Sequence, residues 1–217
     1  MLAADVATWR VWQALNGKQP TMMAGHSLGE YSALVCAESL SFTDAIKLVA
    51  ARGQYMQDAV PTGTGAMAAI LGLDDAIVID VCKQAAQDQI VQADNFNSPG
   101  QVVIAGHKAA VERATVLAKD KGAKRAVLLP VSVPSHCQLM LPAAKRLAAD
   151  LTKINVIAPR ISVINNVDVA QPTEPAQIRD ALVRQLYQAV RWVEIIQTMA
   201  KLGVTQLVEC GPGKVLV

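Results

Sequence analysis

The pentapeptide Gly-His-Ser-Leu-Gly at residues 25–29 has the composition and spacing of a serine nucleophile held on a tight turn. It follows an apolar run at residues 22–24 and opens a segment, residues 28–38, that is typical of a helix. Such a turn forces its central residue into a sparsely populated backbone conformation, and glycines let the strand and the helix pass close together. Ser27 then lies at the positive end of the helix dipole, where backbone N–H groups can stabilise an oxyanion. The sequence therefore predicts a nucleophile elbow, with an ordinary glycine turn as the alternative.

A serine hydroxyl needs a general base, and the chain contains three histidines. His26 adjoins the serine, but adjacent residues on a turn usually point apart. His107 begins a predicted helix, where a solvated or capping histidine is the expectation. His136 lies in a proline-containing loop and is the preferred candidate base, with a structural histidine as the alternative. A nucleophilic pair of Cys137 and His136 is disfavoured because neighbouring residues rarely face each other.

Arg52 is the other residue that indicates chemistry. On its predicted helix it shares a face with the apolar side chains of Leu48 and Met56 and with Tyr55. Burial of a charged group in such a stripe is unfavourable unless an anion pairs with it. The anion is either a structural carboxylate or the carboxylate of a substrate, which the rigid guanidinium fork suits well. The alternative is a side chain that reaches out to solvent.

Composition sets limits on the class of protein. The chain has 217 residues, of which 52% are hydrophobic and 18% charged, which is enough for a sizeable core. Its net charge is +2 and its basic residues are scattered, so no nucleic-acid surface is indicated. No apolar run approaches membrane-spanning length, and the four cysteines lack the spacing of a zinc site. We expect free thiols in a cytoplasmic protein.

The order of predicted strands and helices divides the chain into two domains. Residues 66–131 have the order β-α-β-β-α-β, which is the ferredoxin-like arrangement, after a break at 61–65. We therefore predict an inserted ferredoxin-like domain at 62–131 and a large α/β domain with a mostly parallel sheet at 1–61 and 132–217. Outside the insert, the pattern predicts strands at 160–167 and 204–209 and helices at 42–59, 142–153, 176–187 and 193–202.

Six short motifs occur together in the chain: in order, G-H-S-L-G-E-Y at 25–31, R-G at 52–53, N-F-N-S-P-G-Q at 95–101, P-S-H at 134–136, N-N-V at 165–167 and G-P-G at 211–213. With this ordered set the chain resembles, over essentially its whole length, the bacterial malonyl-CoA:acyl-carrier-protein transacylase of type II fatty acid synthesis. The resemblance implies an α/β-hydrolase-like large domain interrupted by a ferredoxin-like small domain, in agreement with the pattern above.

The resemblance also implies a role for each candidate site residue. Ser27 is implied to be the acylated nucleophile, His136 its base, and Arg52 the residue that holds the malonyl carboxylate. Gln185 matches the position whose backbone carbonyl orients the histidine, and Leu28 matches the donor of one oxyanion-hole N–H. The implied reaction is malonyl transfer from malonyl-CoA to acyl carrier protein, with no metal or redox cofactor. No Asp or Glu stands out in the sequence as a third member of a triad.

The sequence departs from the family at its ends. The family begins with a segment that carries a G-Q-G-S-Q motif, whose glutamine supplies a second oxyanion N–H, and this sequence has no such motif. Residues 2–12 already have helical apolar spacing, and residues 215–217 form an apolar end. We therefore expect a chain that lacks both terminal segments of the family and is weakly active or inactive as given.

Three alternatives stay open at this point. A serine esterase-type hydrolase needs no carboxylate-binding arginine and no carrier partner, and usually has an acidic residue after the serine. A catalytically impaired fragment or binding module of the same fold agrees with the absent segment. The acyltransferase domain of a modular polyketide synthase fits less well, because its sequence before the histidine usually differs from V-P-S at 133–135. The sequence does not decide between malonyl and methylmalonyl groups, and it does not identify the carrier protein.

Overall fold

The computed structural model describes residues 1–131, 133–214 and 216. Helices and strands alternate along most of this chain, as the sequence pattern predicts. The helices are α1 (Leu2–Ala14), α2 (Leu28–Cys36), α3 (Phe42–Ala59), α4 (Asp75–Ala86), α5 (Lys108–Asp120), α6 (Leu141–Leu151), α7 (Pro175–Arg184) and α8 (Trp192–Lys201). The strands are β1 (Met22–Ala24), β2 (Gly65–Leu71), β3 (Val91–Ser98), β4 (Gln101–His107), β5 (Arg125–Leu128) and β6 (Ser162–Ile164).

A short parallel pair of strands and the helices around it make up the part of the fold that carries the elbow. Strand β1 pairs with β6 in parallel register, with Met23 opposite Val163. Helix α3 packs on α6, and α1 packs on α2, so that their apolar faces form one large core. Tyr31, Leu147 and Leu182 are fully buried in it. Because burial of each such side chain stabilises the fold by about 1.5–3 kcal/mol, this core holds the elbow in place.

A second sheet of four strands lies between residues 65 and 128. Its strand order is β3-β4-β2-β5, and all neighbouring strands are antiparallel. Helices α4 and α5 cover one face, where the buried side chains include Ile70, Ile104 and Val111. This is the topology of a ferredoxin-like βαββαβ unit, so the predicted fold class is confirmed. The exact domain limits, 1–61 with 132–217 and 62–131, stay a prediction.

The small sheet is attached to the rest of the chain by backbone hydrogen bonds. The N–H of Val190 donates to the carbonyl of Asp94 at 2.8 Å, and the N–H of Phe96 donates to the carbonyl of Val190 at 3.0 Å. A Cβ at Gly65 would lie 2.5 Å from Pro134, so the chain crosses closely there as well. Strand β3 is therefore held beside the segment that follows α7.

The structure corrects the sequence prediction of a strand at residues 204–209. The N–H of Val204 still bonds to the carbonyl of Met199 at the end of α8, and the residues after it are irregular. In the described part of the chain, no backbone hydrogen bond joins residues 205–209 to another strand. Leu207 and Val208 are consequently exposed. An apolar β-branched pattern forms a strand only where a neighbouring strand can take its N–H and C=O groups.

Element ends also differ from the prediction. Helix α2 ends at Cys36, two residues early, because Glu38 adopts a positive φ of 60° and breaks the helix. The predicted strand at 160–167 is only the three residues of β6. At the start of α3, the Ser41 hydroxyl caps the helix by accepting a hydrogen bond from the N–H of Asp44 at 3.0 Å. No helix in the described residues has the length and apolarity to cross a membrane.

Candidate active site

Ser27 lies on the turn between β1 and α2 in a strained backbone conformation, with φ 54° and ψ −108°. A Cβ at Gly25 would lie 2.0 Å from the carbonyl carbon and oxygen of Gly29, so only glycine fits at position 25. A Cβ at Gly29 would meet nothing within 4 Å. The expectation that both glycines are needed for close passage is therefore wrong for Gly29. The turn is nevertheless the nucleophile elbow that the sequence predicts.

His136 is brought to this serine from 109 positions further along the chain. The distance between Ser27 Oγ and His136 Nε2 is 2.8 Å. On the other side of the ring, Nδ1 lies 2.6 Å from the backbone carbonyl oxygen of Gln185. A carbonyl can only accept, so Nδ1 carries the proton and Nε2 is left to accept the hydroxyl proton of Ser27. This is the geometry of a general base.

The electrostatic surroundings keep that base neutral. His136 is 3% exposed. Burial is the main reason that the pKa of His136 falls to about 3, and the positive charge of Arg52 lowers it further. The hydrogen bond to the Gln185 carbonyl opposes both effects but is smaller. At neutral pH the imidazole is thus uncharged and able to take a proton.

Arg52 projects from α3 towards the same serine and is only 6% exposed. Its Nη2 donates to Ser27 Oγ at 3.1 Å and to Gln185 Oε1 at 3.4 Å, while the guanidinium lies 5.7 Å from the centre of the Tyr31 ring. In the part of the chain that the structure describes, no carboxylate forms an ion pair with Arg52. Its buried Nε has no partner. Arg52 therefore neither reaches out to solvent nor pairs with a structural carboxylate of the described residues, which were the two alternatives for this residue.

Gln185 and Leu28 complete the set of predicted site residues. Gln185 follows α7, is fully buried, and donates from Nε2 to the Ser27 carbonyl at 3.0 Å. Leu28 is the first residue of α2. The first N–H groups of a helix have no partner within the helix, so the Leu28 N–H is available to an incoming oxyanion. All five predicted residues therefore come together at the elbow.

The other two histidines take structural positions. His26 points away from the base, and its Nε2–H donates to Asn97 Oδ1 at 2.8 Å. Its ring packs against Trp192 with 5.6 Å between the ring centres. His107 occupies the N-cap position of α5, as expected, but its side chain makes no capping hydrogen bond, and its Nδ1 instead accepts from the N–H of Ile90 at 2.9 Å. Among the described residues, no group of three or more His, Cys, Asp or Glu could hold a metal ion.

The comparison with protein families agrees with this geometry. The family described as acyl transferase domain matches residues 1–217. The chain is 61% identical over 216 residues to the malonyl CoA-acyl carrier protein transacylase of Salmonella typhimurium, and this match covers 100% of the chain and 70% of that relative. The chain belongs to the malonyl CoA-acyl carrier protein transacylases. The corresponding protein of Bacillus subtilis is 48% identical over 202 residues, which cover 93% of the chain and 64% of that protein.

Solved structures of malonyl transferases have the same fold. An acyl carrier protein S-malonyltransferase from Vibrio cholerae superimposes with a TM-score of 0.98 at 62% identity, over 99% of this chain and 70% of that one. A malonyl-transacylase solved in complex with its type II PKS acyl-carrier protein has a TM-score of 0.98 at 59% identity, with the same coverage. The α/β architecture with its separate antiparallel sheet is therefore that of this transacylase family.

Two polar residues of this transacylase site lie within the sequence motifs, but neither received a role from the sequence. Asn166, in the loop after β6, accepts from the Ser27 N–H at 2.7 Å and donates to the Gly25 carbonyl at 2.8 Å, so it ties both sides of the elbow. Glu30, on α2, is 2% exposed and accepts from Gln185 Nε2 at 2.8 Å. A glutamate in the otherwise uncharged sequence of α2 was a visible signal, but its partners lie more than 130 positions away.

Proposed function

We propose that this protein transfers a malonyl group from malonyl-CoA to the phosphopantetheine thiol of acyl carrier protein, as a step of fatty acid biosynthesis. The observation that carries the proposal is the convergence on one serine oxygen of a base and of an arginine that forms no ion pair with any described residue. Ser27 Oγ lies 2.8 Å from His136 Nε2 and 3.1 Å from Arg52 Nη2. A serine hydrolase needs only the first of these contacts, whereas transfer of an acid-bearing acyl group uses both.

In the proposed first half-reaction, Ser27 Oγ attacks the thioester carbonyl carbon of malonyl-CoA and its proton passes to His136 Nε2. The backbone carbonyl of Gln185 holds the resulting imidazolium through Nδ1–H. The oxyanion of the tetrahedral intermediate is stabilised by the N–H of Leu28 and the positive end of α2. When the C–S bond breaks, His136 returns its proton to the leaving thiolate, and malonyl-Ser27 remains.

In the second half-reaction, the phosphopantetheine thiol gives its proton to His136 and its sulfur attacks the malonyl-serine ester. Collapse of the intermediate breaks the bond to Ser27 Oγ, which takes the proton back. The atoms balance without a redox group or a metal ion, so we propose that none takes part. We also propose that the protein acts in the cytoplasm, where its four free cysteines stay reduced.

Arg52 is proposed to bind the malonyl carboxylate. A buried guanidinium with an unpartnered Nε has donors available in a planar fork, which matches a carboxylate in two parallel hydrogen bonds. The arginine then both attracts the acid-bearing acyl group and orients its thioester towards Ser27. Acyl groups that lack a carboxylate leave the buried positive charge of Arg52 uncompensated, so their binding is disfavoured.

The test is acylation of Ser27. Incubation with malonyl-CoA should add one malonyl group, and peptide mass spectrometry should find it on Ser27. Ser27→Ala should lose transfer to acyl carrier protein by several orders of magnitude, because only binding and oxyanion effects then remain. Ser98→Ala is the matched control: among the described residues, the Ser98 hydroxyl makes one long contact of 3.4 Å with Gln101, so this variant should keep full transfer.

Two results would contradict the proposal. A malonyl adduct on another residue would exclude Ser27 as the nucleophile. Release of free malonate faster than transfer to carrier protein, together with equal use of acetyl-CoA, would instead identify an esterase-type hydrolase.

A further inference from the structure

We propose that Glu30 is a positioning residue that holds Gln185 and Asn166 in place, and through them aligns His136 and Ser27 for proton transfer. This inference rests on the proposed function, because it assigns a role within the same site. Glu30 lies one turn after Ser27 on α2 and touches neither the serine hydroxyl nor the imidazole. Its effect therefore has to pass through other residues, and the hydrogen bonds show which ones.

The first connection runs from Glu30 to the base. Glu30 Oε2 accepts from Gln185 Nε2 at 2.8 Å. The backbone carbonyl of the same glutamine accepts the Nδ1–H of His136 at 2.6 Å, and its side-chain Oε1 accepts from Arg52 at 3.4 Å. A displacement of Gln185 thus moves the acceptor that sets both the tautomer and the orientation of the imidazole.

The second connection runs from Glu30 to the nucleophile. The same oxygen, Glu30 Oε2, accepts from the backbone N–H of Asn166 at 2.9 Å. The Asn166 side chain in turn accepts from the N–H of Ser27 at 2.7 Å and donates to the Gly25 carbonyl at 2.8 Å. The strained φ of Ser27 is held by these contacts, which fix the direction of its Oγ. One carboxylate oxygen is therefore shared by both halves of the reacting pair.

The charges around Glu30 make this support sensitive to pH. Burial raises the pKa of Glu30 to about 7, while its hydrogen bonds to Gln185 and Asn166 and the positive charge of Arg52 on α3 oppose that rise. Asp168, after β6, raises the pKa slightly. The neighbouring Tyr31 stays protonated, because burial raises its pKa to about 12. On α1, the Asp5 carboxylate faces Ser32 of α2 rather than Glu30, and it accepts a hydrogen bond from the Ser32 hydroxyl at 2.6 Å.

The pH at which reactivity changes distinguishes the titration of Glu30 from the titration of His136. An ionised acceptor makes hydrogen bonds about twice as strong as a neutral one, so the alignment weakens as Glu30 is protonated below pH 7. The pKa of His136 is about 3, which leaves the base neutral over the whole range from pH 5.5 to 9. A fall in Ser27 reactivity between pH 8 and pH 6 is accordingly assigned to Glu30 and not to the base.

The experiment measures how fast a fluorophosphonate labels Ser27 at pH 5.5–9. In this reaction Ser27 Oγ displaces fluoride from phosphorus and its proton passes to His136, so the rate reports the aligned pair without malonyl-CoA. The test variant is Glu30→Gln, which keeps the shape and removes the charge. The control is Asp5→Asn, which makes the same chemical change at a carboxylate hydrogen-bonded to the same helix. Thermal unfolding of each variant verifies that it folds.

We expect Glu30→Gln to label about 10- to 100-fold more slowly than the unchanged protein at pH 8, because misplacement by a fraction of an ångström has effects of this size. Its pH profile should be flat, without the inflection near pH 7 that the unchanged protein and Asp5→Asn both show. In malonyl transfer, kcat should fall by a similar factor while KM for malonyl-CoA changes less than about threefold.

Three results would overturn the inference. The first is a folded Glu30→Gln protein that labels at the unchanged rate. The second is an inflection near pH 7 that survives the substitution, and the third is an equal loss in Asp5→Asn. Failure of the proposed function looks different: the unchanged protein would then label at Ser27 with the Glu30-dependent profile but form no malonyl adduct.

Discussion

The strongest quantitative consequence of the site concerns the choice between malonyl and acetyl groups after replacement of Arg52 by alanine. Arg52 is 6% exposed, uses Nη2 for Ser27 and Gln185, and has a buried Nε without a partner. Loss of one partner from a buried, charge-assisted pair typically costs about 2–5 kcal/mol. At about 1.4 kcal/mol per tenfold, the ratio of kcat/KM for malonyl-CoA to that for acetyl-CoA should fall roughly 30- to 4,000-fold.

Two further variants define the cause. Arg52→Lys should recover only part of the preference, because an ammonium group cannot form two parallel hydrogen bonds to a carboxylate. Arg146→Ala is the control for loss of an arginine. Its side chain is about half exposed, pairs with Asp58 at 2.7 Å and stacks on the Tyr55 ring. It should leave the preference unchanged.

The assay is a competition between labelled malonyl-CoA and acetyl-CoA for Ser27, analysed by the mass of the acylated peptide. It measures the ratio directly, so a general loss of activity does not alter the result. An unchanged ratio in folded Arg52→Ala would refute the reasoning, since the guanidinium would then have a purely structural role beside Tyr31. If Arg52→Lys keeps the full preference for malonyl-CoA, only the claim that the carboxylate is bound by two parallel hydrogen bonds would be refuted.

Two other expectations concern stability. Gly25→Ala should lower the free energy of unfolding by more than about 3 kcal/mol, because the new Cβ would lie 2.0 Å from backbone atoms of Gly29. The control is Gly29→Ala, whose Cβ would meet nothing within 4 Å and should be tolerated. Urea unfolding compares the two variants, and equal losses of stability would contradict the predicted clash. The pKa of Glu30 rises from 4.5 to about 7 on folding, so the protein should lose about 3 kcal/mol of stability as pH rises from 4.5 to 7. Glu30→Gln has no carboxyl group to titrate and should not show this loss. If the stabilities of the two proteins depend on pH in the same way, the prediction is wrong.

Much of the fold could be predicted because its signals are local. The alternation of strands and helices between residues 65 and 128 follows short periodicities, and the β-α-β-β-α-β order leaves few sheet topologies. The elbow was predictable for the same reason, since Gly25 and Ser27 act within one turn. The strand predicted at 204–209 was wrong because pairing depends on a distant partner strand, and its alternating apolar residues carry no information about that partner.

The candidate site was only partly predictable. Helical spacing placed Arg52 on an apolar face, and the resemblance to a family supplied the roles of His136 and Gln185. Glu30 and Asn166 received no role from the sequence, although both lie in its motifs, because their importance lies in hydrogen bonds across more than 130 positions. No spacing rule relates such residues, and an isolated glutamate or asparagine in a sequence is usually a surface residue.

The amino-acid sequence by itself determined the elbow, the order of elements and the residue types available for acyl transfer, because each depends on chain-local sterics and periodicity. Only the tertiary structure decided which side chains meet and how they are charged. It brought His136 to within 2.8 Å of Ser27 and left Arg52 buried beside it, with no ion pair to a carboxylate of the described residues. It also raised the pKa of Glu30 and lowered that of His136, since desolvation depends on what packs around a group and not on its neighbours in the chain.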